Sequence, residues 1–296
     1  MQRRSVLLCL VVFALVPVVT GGCSTNPLTG KRSLMLLSEA EEVQLGQQAA
    51  PETAGELGGP YGDPVIKAYV QGVGRKVAAE ALKVSYDYPY TFDVLDTDMV
   101  NAFALPGGPV FVTRGLLFEM QDESQLAGVL AHEVTHVAAQ HSAQRISKAV
   151  GAEFILSVLK AAAGKGESAD GGESTAGNIA KIAAGLISLK YSRDDETEAD
   201  LYGVGFMVRA GYQPTGMVRV MEMFERMEQE AGSGGSEFLR THPNPKNRAG
   251  AIREAIDEKH PGAATDPKLT VGRETYQQKV LSRRHLVKTY SKAKSE

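Results

Sequence analysis

The sequence contains no tryptophan and only two cysteines, Cys9 and Cys23, in 296 residues. Two cysteines make one bridge at most, so a disulfide-stapled scaffold is excluded. There is no basic excess: 32 Lys and Arg face 35 Asp and Glu, for a formal charge of -3. A nucleic-acid partner would require a basic stripe, and none is present. After Gly22 no apolar run reaches the ~20 residues that span a bilayer. Neither an internal repeat nor a helical-repeat module is visible. What remains is ordinary: 43% hydrophobic and 23% charged residues suffice for a globular core, in one generous domain or two small ones.

Met1 to Gly22 reads as a signal peptide, with Arg3 and Arg4 ahead of a short apolar run from Val6 to Val19. Thr20-Gly21-Gly22-Cys23 resembles a bacterial lipobox, although Thr20 stands where Leu or Val is usual. Cys9 leaves with the signal and Cys23 becomes the lipidation site, so the mature chain holds no free thiol. Ser24 resembles the residue of the outer-membrane sorting class. A periplasmic protein is therefore expected, lipid-anchored to the outer membrane of a Gram-negative bacterium.

Asn26-Pro27-Leu28-Thr29-Gly30 reads as a turn-rich tether. Ser38 and Glu41 form a capping box for a helix to about Ala50, and Pro51 to Tyr61 reads as loop. Asp63 and Pro64 open a helix to about Leu82. Tyr90 to Asp96, Asn101 to Leu105 and Val110 to Thr113 alternate as strands, the last two joined as a hairpin by Pro106-Gly107-Gly108-Pro109. Thr113 caps a short helix to Met120. Asp122 and Gln125 open a longer one to about Val150. Apolar helical arms at Ala149 to Ala163 and Ile179 to Leu189 flank a Gly- and Ser-rich loop, Gly164 to Asn178. Further helices are expected from Asp194 to Ala210, closed by Gly211, from Thr215 to Glu230, and from Asn244 or Pro245 to Lys259. Ala231 to Gly235 is a flexible break, and the charged tail beyond Lys259 is ambiguous.

The chemistry concentrates in His132-Glu133-Val134-Thr135-His136. Histidines four apart on a helix point the same way, offset by about 40°, and can reach one metal ion. Glu133 lies one step round the same surface. This is the H-E-x-x-H pattern of zinc peptidases. Leu126, Leu130, Val134 and Val137 form an apolar stripe, and the histidines lie off it by roughly a third of a turn or more. Two ordinary core histidines would sit in the stripe.

A catalytic zinc takes three protein ligands and leaves one position open. Glu196-Thr197-Glu198-Ala199-Asp200, on a second helix, supplies carboxylates. Glu196 and Asp200 share a face, with the spacing for one on the metal and one behind a histidine. Glu198 falls on another face.

In order, Asn101-Ala102-Phe103-Ala104-Leu105-Pro106-Gly107-Gly108, His132-Glu133-x-x-His136, Glu196-x-x-x-Asp200 and His242-Pro243 with Arg248 resemble the membrane-associated zinc metallopeptidases that include the CAAX prenyl proteases, HtpX and the BepA-like periplasmic lipoproteins. Asn26 to Gly30 resembles the start of the lipoprotein branch. The resemblance implies an α+β, mainly α, zincin-like fold with a small antiparallel sheet beside the HExxH helix. It implies one Zn2+ per chain held by His132, His136 and Glu196, with Glu133 as general base on the zinc-activated water and Asp200 behind a ligand. His242 and Arg248 are implied to face the site as catalytic residues, stabilising the oxyanion, or with His242 as a fourth ligand that blocks the water position. The prenylated substrates of the multi-span members do not carry over.

A protease holds its substrate extended, and a strand edge does so with main-chain hydrogen bonds. Asn101, Ala102, Phe103 and Ala104 are expected to bind substrate in this way, or else to form a core hairpin. The resulting domain order is signal peptide 1–22, lipidated tether 23–37, catalytic domain 38–260 and C-terminal tail 261–296. The expected partners are extended protein substrates, the membrane and envelope assembly machinery. The alternative function is a metal-stabilised chaperone or assembly factor for outer-membrane proteins; an amidase acting on cell-wall peptides is a further rival.

Overall fold

A computed structural model describes residues 23–162, 190–231, 237–243 and 247–286, with the backbone alone described at 23, 152–162, 231, 285 and 286. The expected signal peptide, the loop from Gly164 to Asn178, the arm from Ile179 to Leu189 and most of the Ala231 to Gly235 break lie outside the described residues.

The chain opens with a hairpin of β1 (Cys23–Thr25) and β2 (Arg32–Leu34). Helix α1 (Glu39–Glu56) carries the Ser38/Glu41 capping box, and α2 (Pro64–Leu82) starts at Asp63, whose carboxylate accepts from Val65 and Ile66 N–H. Strands β3 (Thr91–Leu95), β4 (Ala102–Ala104) and β5 (Pro109–Thr113) lead into the short α3 (Arg114–Glu119). Then come α4 (Glu123–Ala138), α5 (His141–Ala162), α6 (Arg193–Arg209), α7 (Thr215–Ala231), α8 (Glu237–Thr241), α9 (Arg248–Lys259) and α10 (Arg273–Lys279).

Helix α4 is the axis of the molecule. It packs on α2, α6 and α7 and touches β4, and each of its residues from Glu123 to Ala138 is buried. The apolar stripe therefore does not divide core from solvent. Leu126, Leu130 and Val134 join the main hydrophobic core, each burial contributing about 1.5–3 kcal/mol. The opposite face meets α6 and the segment around His242. Gly128 brings α4 close to α7: a Cβ there would lie 3.1 Å from Met217 Cα.

The three-stranded sheet has the order β3-β5-β4 and is mixed rather than antiparallel. The hairpin β4–β5 is antiparallel as expected, with Phe103 opposite Phe111, but β3 joins the other side of β5 in parallel. Alternation marks a strand without revealing its neighbour or direction. Here the β3–β4 connection crosses the end of β5. Arg114 holds it through Asp96 and Asp98, at 2.8 and 2.5 Å, and Thr113 Oγ1 donates to Met99 O at 2.6 Å.

Two further expectations are corrected. Helix α1 runs through Pro51 to Glu56, and Ala54 on its last turn is buried with Leu95, Phe103, Leu105 and Phe111, although Pro51 inside it donates no hydrogen bond. The metal-motif helix does not continue to Val150. It ends at Ala138, and Gln140 adopts φ 59 before α5 begins in a new direction. No glycine marks this break. Gln140 is held there by its side chain, which donates to Glu42 Oε1 (2.6 Å) and Tyr88 Oη (3.1 Å).

Both ends of the described chain pack on this frame. In the expected tether, Asn26 Nδ2 donates to Ala138 O at 2.9 Å, capping the end of α4, while its Oδ1 accepts from Leu28 and Thr29 N–H. Met35 and Leu37 form a small core with Leu45, Ala143 and Ile146. Beyond Lys259 the ambiguous tail buries Tyr276 in the main core, its hydroxyl donating to Leu117 O at 2.6 Å. No helix among the described residues is long and apolar enough to cross a membrane.

Candidate metal centre and active site

Helix α4 presents His132, Glu133 and His136. Helix α6, started by a Ser192/Asp195 capping box, presents Glu196 and Asp200. The end of α8 delivers His242, whose N–H donates to Phe238 O at 2.7 Å and whose ring stacks on Phe238 at 4.3 Å. Phe238 in turn stacks on Phe224 of α7. Helix α9, whose described part starts at Arg248 rather than Asn244 or Pro245, delivers that arginine from a left-handed Asn247 (φ 70); positions 244–246 lie outside the described residues.

Donor atoms of His132, His136, Glu196 and His242 all lie within 4.8 Å of one another. His132 Nε2 is 3.1 Å from His136 Nε2 and 3.2 Å from His242 Nδ1. Glu196 Oε1 is 2.9 Å from His242 Nδ1 and 3.4 Å from His136 Nε2, and its Oε2 is 3.5 Å from His132 Nε2. These residues are 0–1% exposed. Glu133 stands beside them with both carboxylate oxygens buried and without a hydrogen-bond partner among the described residues, Oε1 being 3.6 Å from His242 Nε2.

The converging set fits a divalent cation. Three imidazole nitrogens and a carboxylate are the N and O donors zinc takes. Glu196 Oε2 and His242 Nε2, both buried, likewise lack hydrogen-bond partners. Unpaired buried polar atoms are costly, so their concentration here calls for a ligand.

Electrostatics agree. Burial alone would lower the pKa of His132, but the Glu196 and Asp200 carboxylates outweigh it and raise it to about 9. Burial would raise Glu196, yet His242 and His132 hold it well below the usual carboxylate range. Carboxylates that favour a proton on His132 equally favour a metal cation, which displaces it. Burial pushes His136 well below its usual value and Glu133 above its own.

Asp200 and Arg248 lie behind the ligand cluster. His132 Nδ1 faces Asp200 Oδ1 at 3.0 Å, which places the proton on Nδ1 and leaves the Nε2 lone pair for a metal. Arg248 Nε donates to Asp200 Oδ2 at 2.6 Å and Nη2 to Oδ1 at 2.8 Å. Its Nη1 lies 2.9 Å from Glu196 Oε2 as an ion pair without hydrogen-bond alignment. The guanidinium is thus engaged by two carboxylates. Ala102, Phe103 and Ala104 form β4, an edge strand among the described residues next to α4, and Asn101 directly precedes it. All four are buried, and neither polar atom of the Asn101 amide has a partner. Cys23 begins β1, paired with Leu34.

Two neighbours of the cluster, His141 and Tyr191, have no part in the sequence reading, and Glu198 enters it only as falling on another face. His141 Nδ1 is 2.9 Å from His136 Nδ1, Tyr191 stacks on the His136 ring at 3.8 Å, and Glu198 lies 3.2 Å from His141 Nε2. A third histidine five residues past His136 was a visible signal, but on a continuous helix it would point about 140° away.

A buried helix carrying two histidines and an intervening glutamate, with a carboxylate from a second helix at the same point, defines a zincin-like zinc metallopeptidase fold and site. The chain belongs to peptidase family M48, which it matches over residues 64–256. It is similar to the beta-barrel assembly-enhancing protease of Escherichia coli K12, 29% identical over 252 residues, covering 83% of this chain and 50% of the relative. It is also similar to the mitochondrial metalloendopeptidase OMA1 of Schizosaccharomyces pombe, 30% identical over 239 residues, covering 78% and 66% of the two chains. Metalloprotease YcaL of Escherichia coli K12 is 30% identical over 168 residues, covering 57% and 63%. The chain spans about half the length of the beta-barrel assembly-enhancing proteases it matches.

Proposed function

We propose that this chain is a zinc-dependent endopeptidase that hydrolyses peptide bonds of unfolded or misassembled envelope proteins. The observation that carries the reading is the meeting of four buried donor atoms from distant segments beside a glutamate with no hydrogen-bond partner. His132, His136 and Glu196 hold one zinc. When bound, the ion acidifies water and polarises a carbonyl. Glu133 takes the proton from the attacking water and returns it to the departing amine. Asp200 keeps His132 in the tautomer that leaves Nε2 free, and Arg248 keeps Asp200 ionised and oriented.

His242 places Nδ1 among the ligand atoms, which supports its reading as a residue that would hold the ion as a fourth ligand. Of the two oxyanion candidates, His242 is the better placed, because Arg248 is neutralised by Asp200 and Glu196. Substrate adds as a strand along β4 through main-chain hydrogen bonds, with the unpartnered Asn101 amide gripping its backbone. Such bonds read few side chains, so specificity is for extended, unfolded segments. A working base buried with both oxygens unpartnered favours a hydrolase over a metal-stabilised chaperone.

The envelope setting rests on similarity to proteases named for beta-barrel assembly, and on the lipobox at Cys23. In this reading residues 1–22 are a signal peptide, Cys23 carries a lipid to the outer membrane, residues 38–260 form the catalytic domain with the N-terminal hairpin and the segment around Tyr276 packed on it, and the chain works beside envelope assembly machinery. Glu133→Gln tests the chemistry: zinc is retained while cleavage of casein falls at least about a hundredfold. Wild-type cleavage by that protein would remove Glu133 from the mechanism.

A further inference from the structure

The two histidines of the motif are supported differently. His132 leans directly on Asp200. Among the described residues His136 has no carboxylate behind it; its Nδ1 faces the Nδ1 of another imidazole, His141, at 2.9 Å. If His136 Nε2 offers its lone pair to a metal, its proton is on Nδ1, and His141 Nδ1 must accept it. His141 then carries its own proton on Nε2, which faces Glu198 Oε2 at 3.2 Å; Asp195 Oδ1 is farther, at 3.9 Å. Glu198 is in turn paired with Lys31, from the turn that joins β1 to β2. Every proton in this row has one consistent position. Both His141 nitrogens are committed, so His141 is not a ligand itself.

Local structure exists to build this row. On an uninterrupted helix His141 would be turned about 140° from His136. The left-handed Gln140 redirects the chain so that the rings meet, with centroids 5.0 Å apart. Asn26, from the same N-terminal hairpin as Lys31, caps Ala138 O and contacts Gln140 Oε1 at 3.3 Å. The hairpin therefore touches the metal helix at its C-terminal end and at the far end of the row.

We propose that His141 and Glu198, completed by Lys31 of the N-terminal hairpin, are positioning residues that fix the ring and tautomer of His136 for zinc. The proposal rests on the reading of His136 as a ligand. Outer partners of ligating histidines commonly govern metal affinity by 10–100-fold. It also gives the segment that follows the expected lipidation site a part in the metal centre.

The test is zinc affinity of the full chain by competition with a chelator, together with the visible spectrum of the Co2+-substituted protein and melting of the metal-free protein. His136→Ala checks the underlying reading, since undiminished zinc binding there would remove His136 as a ligand whatever the other variants do. His141→Phe keeps a ring of similar size and loses both nitrogens; zinc affinity is expected to fall roughly 10–100-fold with an altered Co2+ spectrum. Glu198→Ala is expected to lose about tenfold. Glu198→Gln, whose Oε1 still accepts from His141 Nε2–H, restores most of it. Affinity within twofold of wild type in a folded His141→Phe protein would overturn the proposal. Should that variant not fold, the Glu198 pair decides: Ala and Gln both at wild-type affinity, or both equally weakened, contradicts positioning by this hydrogen bond.

Discussion

Replacing Arg248 by methionine asks whether the second row of the site is held by charge. Arg248 is 3% exposed, spans two carboxylates, and makes two charge-assisted hydrogen bonds to Asp200 at 2.6 and 2.8 Å. At roughly 4 Å between charge centres and an effective dielectric near 20, each pairing is worth about 4 kcal/mol before desolvation. Methionine fills much of the volume but leaves Asp200 with unmet acceptors and Glu196 without its cation. Breaking a buried pair in this way costs about 3–5 kcal/mol. The measurement is urea unfolding of metal-free protein, so that zinc does not mask the loss. Arg248→Lys retains the charge without the fork and falls between the two. In a double-mutant cycle with Asp200→Asn the coupling is expected to be about 2–3 kcal/mol. A loss under about 1 kcal/mol for Arg248→Met, or additivity within about 0.5 kcal/mol, would refute the reasoning.

Burial raises the Glu42 carboxyl from its ordinary 4.5 to about 7, with Gln140 as its hydrogen-bond partner. A folded pKa above the unfolded one means the folded state binds the proton more tightly. The associated stability is full below pH 4.5, is lost as pH rises towards 7, and amounts to at most about 3 kcal/mol. Glu42→Gln should flatten that decline in unfolding experiments across this range; an unchanged profile would assign it to other groups. Tyr276→Ala should destabilise the protein by about 3–5 kcal/mol in the same assay, as loss of a large core side chain does. Destabilisation below about 1 kcal/mol would mean the segment beyond Lys259 does not belong to the core.

Much of the site was legible because its spacing is dictated by the helix. His132 and His136, and Glu196 and Asp200, are both four apart, and each pair projects from one face. Caps were legible for the same local reason: Ser38, Asp63, Thr113 and Asp122 each accept from N–H groups a few residues ahead. What escaped was set by tertiary contact. The parallel pairing of β3 depends on where the crossing connection is tied down by Arg114. The break at Gln140 depends on Glu42 and Tyr88, about a hundred and about fifty residues earlier. With that break unseen, His141 points away from His136 and Glu198 falls on a different face from Glu196 and Asp200. The burial of Asn26 and Tyr276 was hidden too, since neither segment carries a periodic apolar pattern.

The most direct measurement is zinc content. Mass-spectrometric metal analysis of purified wild-type chain should find about one zinc per molecule, and Glu196→Ala, folded by circular dichroism, should lose most of it because the carboxylate ligand is gone. Full zinc occupancy in the Glu196→Ala protein would contradict a centre built by imidazoles of one helix and a carboxylate of another.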